Sequence, residues 1–209
     1  MLMMIFLSLL QRKRPLITNF LKSHLFILKL VLSGIFFLSP CLSIAEKGIL
    51  RNLYEAPAFR GISDKGLKWE SENILPGNII LVNFFFTSCH GPCPALMDRV
   101  RLILKKSDCK ILTAVSISVD NDNDTPERLA SYRQEREFDD PRWTLLNAEE
   151  DHVMSLLNEG FKLGTGGDKI NHSTRLVLID QSNRIRSLIS GNEDDAIDSL
   201  VSGIMELCK

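Results

Sequence analysis

Ile79-Ile80-Leu81-Val82-Asn83-Phe84-Phe85-Phe86-Thr87-Ser88-Cys89-His90-Gly91-Pro92-Cys93-Pro94 is the stretch from which the fold is read. Its first half, residues 79–86, is an almost unbroken apolar run and predicts a buried strand. The run ends directly at the cysteine loop. Beyond the second cysteine, Pro94 opens a predicted helix over about residues 94–107, since proline is tolerated in a first helical turn. Strand, cysteine loop and helix together form an arrangement that makes thiols reactive. The helix N-terminus presents unpaired N–H groups and a partial positive charge that favour thiolate over thiol. Thiolate is both the nucleophile of disulfide exchange and the ligand that soft metals prefer. The motif therefore narrows function to two chemistries, redox exchange or binding of a soft metal such as Cu(I).

Working outward, Asp64-Lys65-Gly66 before Leu67–Trp69 signals a small hairpin. After the 94–107 helix, Ile111 to Val119 predicts a second apolar strand. Thr125-Pro126-Glu127 starts a helix to about Arg136, with Thr125 as N-cap and Pro126 in the first helical position. Trp143–Leu146 reads as a short strand and Glu149 to Asn158 as a helix. Arg175–Ile179 and Arg184–Ser190 flank the turn Asp180-Gln181-Ser182-Asn183 as a hairpin, and Ala196 to Leu207 closes the chain as a helix. Alternating strands and helices that finish in a hairpin and a helix predict an α/β protein whose mixed central sheet carries helices on both faces. With a cysteine pair after the first central strand, this is a thioredoxin-like fold. Residues 46–209 form a single domain of that kind, without repeats or low-complexity linkers.

The 209 residues carry a net charge of −1, unevenly distributed. Residues 1–45 hold Arg12, Lys13, Arg14, Lys22 and Lys29 and no acid. The remainder has 20 of the 25 basic residues against all 26 acidic ones, a net of −6. A mildly acidic body argues against nucleic-acid binding, which usually shows a basic patch. In residues 1–45 a cationic stretch precedes the uncharged, mostly apolar run Leu30 to Ala45, and Ser43-Ile44-Ala45 before Glu46 resembles a signal-peptide cleavage site. Leu25 to Ala45 is also nearly long enough to span a bilayer if Lys29 snorkels. The segment is thus a signal peptide or a membrane anchor. Pro40 disfavours lipidation of Cys41. Either way the body is exported, soluble or anchored at the periplasmic face of the cytoplasmic membrane, or in the equivalent intermembrane space. A reactive cysteine pair there needs a thiol reductant or a metal to stay reduced.

Four separated segments resemble the Sco/SenC family of copper-binding assembly proteins. They are Asn83 through Cys89 to Cys93-Pro94; Ser118-Val119-Asp120 through Asp124-Thr125-Pro126; Trp143-Thr144-Leu145-Leu146; and Asn171-His172-Ser173 before Leu176 to Asp180. Their order and spacing cover about residues 57–190. The resemblance implies one copper ion, Cu(I) or Cu(II), bound by Cys89, Cys93 and His172. It also implies a role in assembling the copper centre of a respiratory cytochrome oxidase, with the oxidase's copper-bearing subunit or another copper protein as partner. Asn171 stands where the family commonly has Asp, and the preceding loop 163–169 is rich in glycine.

The donor set agrees with that implication on chemical grounds. Two thiolates and an imidazole make a soft, low-coordinate set that suits Cu(I) and can also hold Cu(II). Cysteines four residues apart on a helical turn point to one side. Thioredoxin-type oxidoreductases carry a cis-proline beside their cysteines, whereas the last proline here is Pro141, and His172 occupies the corresponding loop. These features favour metal over exchange. His90 inside the loop is expected to be solvated, and His24 and His152 have no assigned role. Asp120, Asp122 and Asp124 alternate like a calcium loop but lack its glycine and distal glutamate, so a polar loop capping the next helix is the expectation. Cys109 and Cys208 lie outside the motif. Both buried thiols and a structural disulfide fit them, and thiols are the preferred reading.

The sequence thus predicts an exported copper metallochaperone. The rival is a thiol–disulfide reductase in which Cys89 attacks and Cys93 resolves. A peroxidase would need a Thr-x-x-Cys site, and here one residue separates Thr87 from Cys89.

Overall fold

A computed structural model describes residues 49–74, 76–164, 174–191 and 193–209. The predicted targeting segment 1–45 and the proposed ligand His172 lie outside the described residues. In chain order the elements are β1 (Arg60–Ser63), β2 (Lys68–Glu70), α1 (Ser71–Ile74), β3 (Ile79–Phe85), α2 (Cys93–Lys106), β4 (Leu112–Ser118) and α3 (Pro126–Glu135). They continue with β5 (Trp143–Asn147), α4 (Glu150–Ser155), which runs on as a π-helical turn (Leu156–Gly160), then β6 (Arg175–Ile179), β7 (Ile185–Ser190) and α5 (Asp194–Leu207).

The strands form one mixed sheet in the order β2-β1-β5-β4-β3-β6-β7. β3, β4 and β5 are parallel neighbours, and every other pairing is antiparallel. β3 lies inside the sheet and is buried along its whole length. Because successive side chains of a strand point to opposite faces, β3 feeds two cores. Ile79, Leu81 and Phe85 pack with Leu96, Met97 and Val100 of α2, Leu129 of α3, and Leu200 and Ile204 of α5. Ile80, Val82 and Phe84 pack with Phe59, Val153, Leu156, Leu157 and Phe161 on the other face. Helices therefore cover both faces, as the thioredoxin-like reading requires.

Local chemistry sets the boundaries. The Thr125 hydroxyl accepts from the Arg128 N–H, the N-cap bond expected of it, with Pro126 following. Asn183 takes a left-handed φ of 59° in the β6–β7 turn, a conformation asparagine tolerates. The 64–67 turn makes the expected hairpin, and Ile62 and Ser63 pair with Asn147 and Leu146. The hairpin thus extends the sheet past β5, a junction that local patterning does not encode.

One expectation is corrected. Cys109 and Cys208 are joined in a disulfide, with Cα atoms 5.9 Å apart. Their separation of 99 residues hid a partnership created by packing. α5 lies along α2, with Asp194 paired to Arg99 and Asp198 to Lys106, which brings its C-terminal end to the loop after α2. That loop is also held by Arg142, which donates to the carbonyls of Leu104, Ser107 and Cys109.

Candidate metal centre

The cysteine loop leaves the C-terminal end of β3 and turns at once, the Cys89 N–H donating to the Phe86 carbonyl at 3.3 Å. Cys93 is the first residue of α2, and the Leu96 N–H returns to the Pro92 carbonyl at 3.0 Å. Ser88, His90, Gly91 and Pro92 are exposed, so His90 sits in solvent as expected. The sulfurs face inward. Cys89 is 8% exposed and Cys93 1%, and both belong to the core that holds Phe85, Leu96 and Tyr132. Neither is in a disulfide.

Burial decides the electrostatics of Cys93. It pushes the Cys93 thiol up to about 12, aided by the hydrogen bond with Cys89, against a smaller opposing pull from the Phe86 backbone. The helix N-terminus alone predicts a thiolate, but at this position desolvation outweighs it. Tyr132 of α3 lies beside the pair, with its ring centroid 5.7 Å from that of Phe85. Its phenol is pushed up first by burial and further by the two cysteines, while Arg136 opposes the shift.

A pH dependence follows. A metal ligand must be thiolate, so Cu(I) has to displace the Cys93 proton. Apparent Cu(I) affinity should therefore rise by at least about tenfold per unit between pH 6 and 8, measured by competition with a chelator corrected for its own protonation. In the metal-free protein the raised thiol favours the folded state below the ordinary thiol range. That contribution is lost as pH climbs from about 9 toward 12.

Among the described residues no three His, Cys, Asp or Glu side chains cluster as a metal site. The two thiols are brought together, and the third proposed ligand, His172, lies outside those residues. Two adjacent buried sulfurs at a helix N-terminus are a donor pair that fits Cu(I), a soft ion content with few ligands. A cavity of about 400 Å³ lined by Arg60, Trp69, Asn147 and His152 includes neither cysteine. His152 is half-buried, and its Nε2 accepts the Arg60 N–H; burial first, then Arg60, lowers its basicity.

Sequence reasoning missed two supports of the loop. One is the buried chain in which the Trp143 indole donates to the Ser116 hydroxyl, Ser116 donates to Asn83, and the Asn83 amide donates to the Met97 sulfur. The other is Asp124, wholly buried in the loop read as a helix cap. An acidic residue inside Asp120-Asn121-Asp122-Asn123-Asp124 gives no sign of which carboxylate turns inward.

The SCO1/SenC family model matches residues 51–208. The chain belongs to this family. Among solved structures, it is similar to a SCO1/SenC family lipoprotein from Bacillus anthracis (TM-score 0.67, 23% identity, covering 78% of this chain and 99% of that one). It is also similar to BsSco, described as a member of the Sco family of cytochrome c oxidase assembly proteins with a disulfide switch (TM-score 0.62, 21% identity, 78% and 96% covered). A third likeness is to copper-bound ScoI of Arabidopsis thaliana (TM-score 0.60, 22% identity, 72% and 96% covered). These likenesses agree with the mixed sheet and flanking helices described above.

Proposed function

We propose that this protein is an exported copper chaperone that binds one copper ion through Cys89, Cys93 and His172 and serves the assembly of a respiratory oxidase copper centre. The observation that carries the reading is the buried, unbridged cysteine pair at the head of α2 within a Sco fold. The copper in the Arabidopsis relative and the oxidase role given for BsSco support it. His172 stands two residues before Thr174, ahead of β6. β6 runs antiparallel to β3, so its first residues lie toward the end from which the cysteine loop departs. The Thr174 carbonyl accepts from Gly191, whose missing Cβ would strike both that carbonyl and Leu96 in the first turn of α2. This packing puts Thr174, two residues after His172, beside the first turn of α2.

Export is supported by the targeting segment and by the Cys109–Cys208 disulfide, a bond characteristic of oxidising compartments. If uncleaved, residues 1–45 would hold the domain at the membrane, and a thiol reductant would keep the pair ready for copper. The disulfide switch of BsSco is the reason to keep a second reading, thiol–disulfide reduction. In that reading Cys89 attacks and the protonated, buried Cys93 resolves.

The test is metal analysis of the reduced protein together with His172→Ala. The wild type is expected to hold one copper per chain. His172→Ala should keep a two-thiolate Cu(I) site but lose most Cu(II) affinity, because Cu(II) favours imidazole nitrogen. Unchanged Cu(II) affinity and absorption spectrum would show that His172 is not a ligand.

A further inference from the structure

We propose that Asp124 is a positioning residue that holds the cysteine loop in its metal-ready shape, acting through Thr87. The proposal rests on the reading of Cys89 and Cys93 as copper ligands. Asp124 is 0% exposed, and a carboxylate can only accept hydrogen bonds. Its Oδ2 accepts the Thr87 backbone N–H at 2.9 Å and the Ser118 hydroxyl at 2.6 Å, and its Oδ1 accepts the Thr87 hydroxyl. The Thr87 oxygen accepts in turn from Arg128 Nε at 3.2 Å, and the guanidinium is gripped on its far side by Glu135. The Asp124 backbone is fixed as well, its N–H donating to the Asp120 carbonyl and its carbonyl accepting from the Asn147 amide.

Helix capping does not explain this arrangement, because Thr125 caps α3 by itself. The donors to Asp124 come instead from the end of β4 and from the residue two places before Cys89. The turn that carries Cys89 is closed by the Phe86 carbonyl on one side of Thr87 and pinned by Asp124 at Thr87 itself. Fixing the Thr87 amide and hydroxyl therefore fixes the entry to the loop that presents the sulfur. A ligand loop ordered in advance binds more tightly, because the ordering cost is not charged to the metal.

The experiment compares four variants of the full chain with wild type. Asp124→Asn puts an amide donor where Thr87 and Ser118 already donate, and Thr87→Val removes the hydroxyl. Thr87→Ser keeps the hydroxyl, and Asp122→Asn removes the same charge from an exposed position on the same loop. Competition with a chromophoric Cu(I) chelator should show Asp124→Asn and Thr87→Val binding Cu(I) about tenfold more weakly, the range seen when an outer partner of a metal ligand is lost. Thr87→Ser should recover most of the affinity, and Asp122→Asn should match wild type. A second readout needs no metal. Alkylation of Cys89, located by mass spectrometry, should speed up by about tenfold in the same two variants, since one lost buried hydrogen bond eases local opening by that order.

If Asp124→Asn fails to fold, Thr87→Val carries the comparison. Lowered melting temperatures with wild-type affinity and wild-type alkylation rates would overturn the proposal, leaving Asp124 as scaffold only. If the wild type itself binds no copper, the chaperone reading falls, and the clamp stands or falls on the alkylation rates.

Discussion

Cys93→Ser and Cys89→Ser are each expected to lose tight Cu(I) binding, by more than the roughly 10–100-fold that removal of an outer partner costs. The reason is the poverty of the site. Among the described residues the two sulfurs are brought together without a carboxylate or imidazole beside them. Removing one leaves a single soft ligand, and a serine oxygen is a hard, protonated substitute. The Cys93 substitution also puts a hydroxyl into a side chain only 1% exposed, at a cost of about 1–3 kcal/mol if it finds no partner. Folding must therefore be checked by circular dichroism before affinity is read by competition. A Cys93→Ser protein that is folded and keeps wild-type Cu(I) affinity would remove the pair from the metal site. It would leave thiol exchange, in which Cys93 resolves, as the surviving role.

How much of this was legible in the sequence depends on the range of the interactions. β3, α2, β4, α3 and the β6–β7 hairpin follow from apolar runs, Thr125-Pro126 and the turn at Asp180–Asn183, all of which act within a few residues. Attachment of the 60–70 hairpin to β5 did not follow, because Ile62 and Asn147 meet only through the sheet. The cysteine pair was legible as a site, and the protonation of Cys93 was not. The helix N-terminus is visible in sequence, whereas the apolar packing of Phe85, Leu96 and Tyr132 that overrides it exists only after folding. The role of Asp124 was hidden for the same reason. Thr87 follows the end of β3 and Ser118 ends β4, and three carboxylates in five residues look alike until one is buried.

The Cys109–Cys208 bridge makes the second large prediction. A double substitution, Cys109→Ser with Cys208→Ser, avoids leaving a lone thiol. It frees the unfolded chain from a closed loop spanning a sequence separation of 99. For a loop of that size the chain-entropy account gives about 4.7 kcal/mol, within the 2–5 kcal/mol typical of native disulfides. At about 2–4 °C per kcal/mol for a domain of this size, the melting temperature should fall by roughly 10–20 °C. Copper affinity should change little. The bridge joins the C-terminal end of α5 to the loop beyond the far end of α2, and fourteen helical residues put about 21 Å between that end and Cys93. Arg142 still holds the loop by the Leu104, Ser107 and Cys109 carbonyls, so the register of β4 and the head of α2 should survive. Thermal melts of the metal-free proteins, with Cu(I) titrations on the same samples, test both halves. A melting shift under about 2 °C would mean that the bridge does not constrain the unfolded chain as this account requires. A matching loss of copper affinity would mean that α2 transmits the bridge to the metal centre.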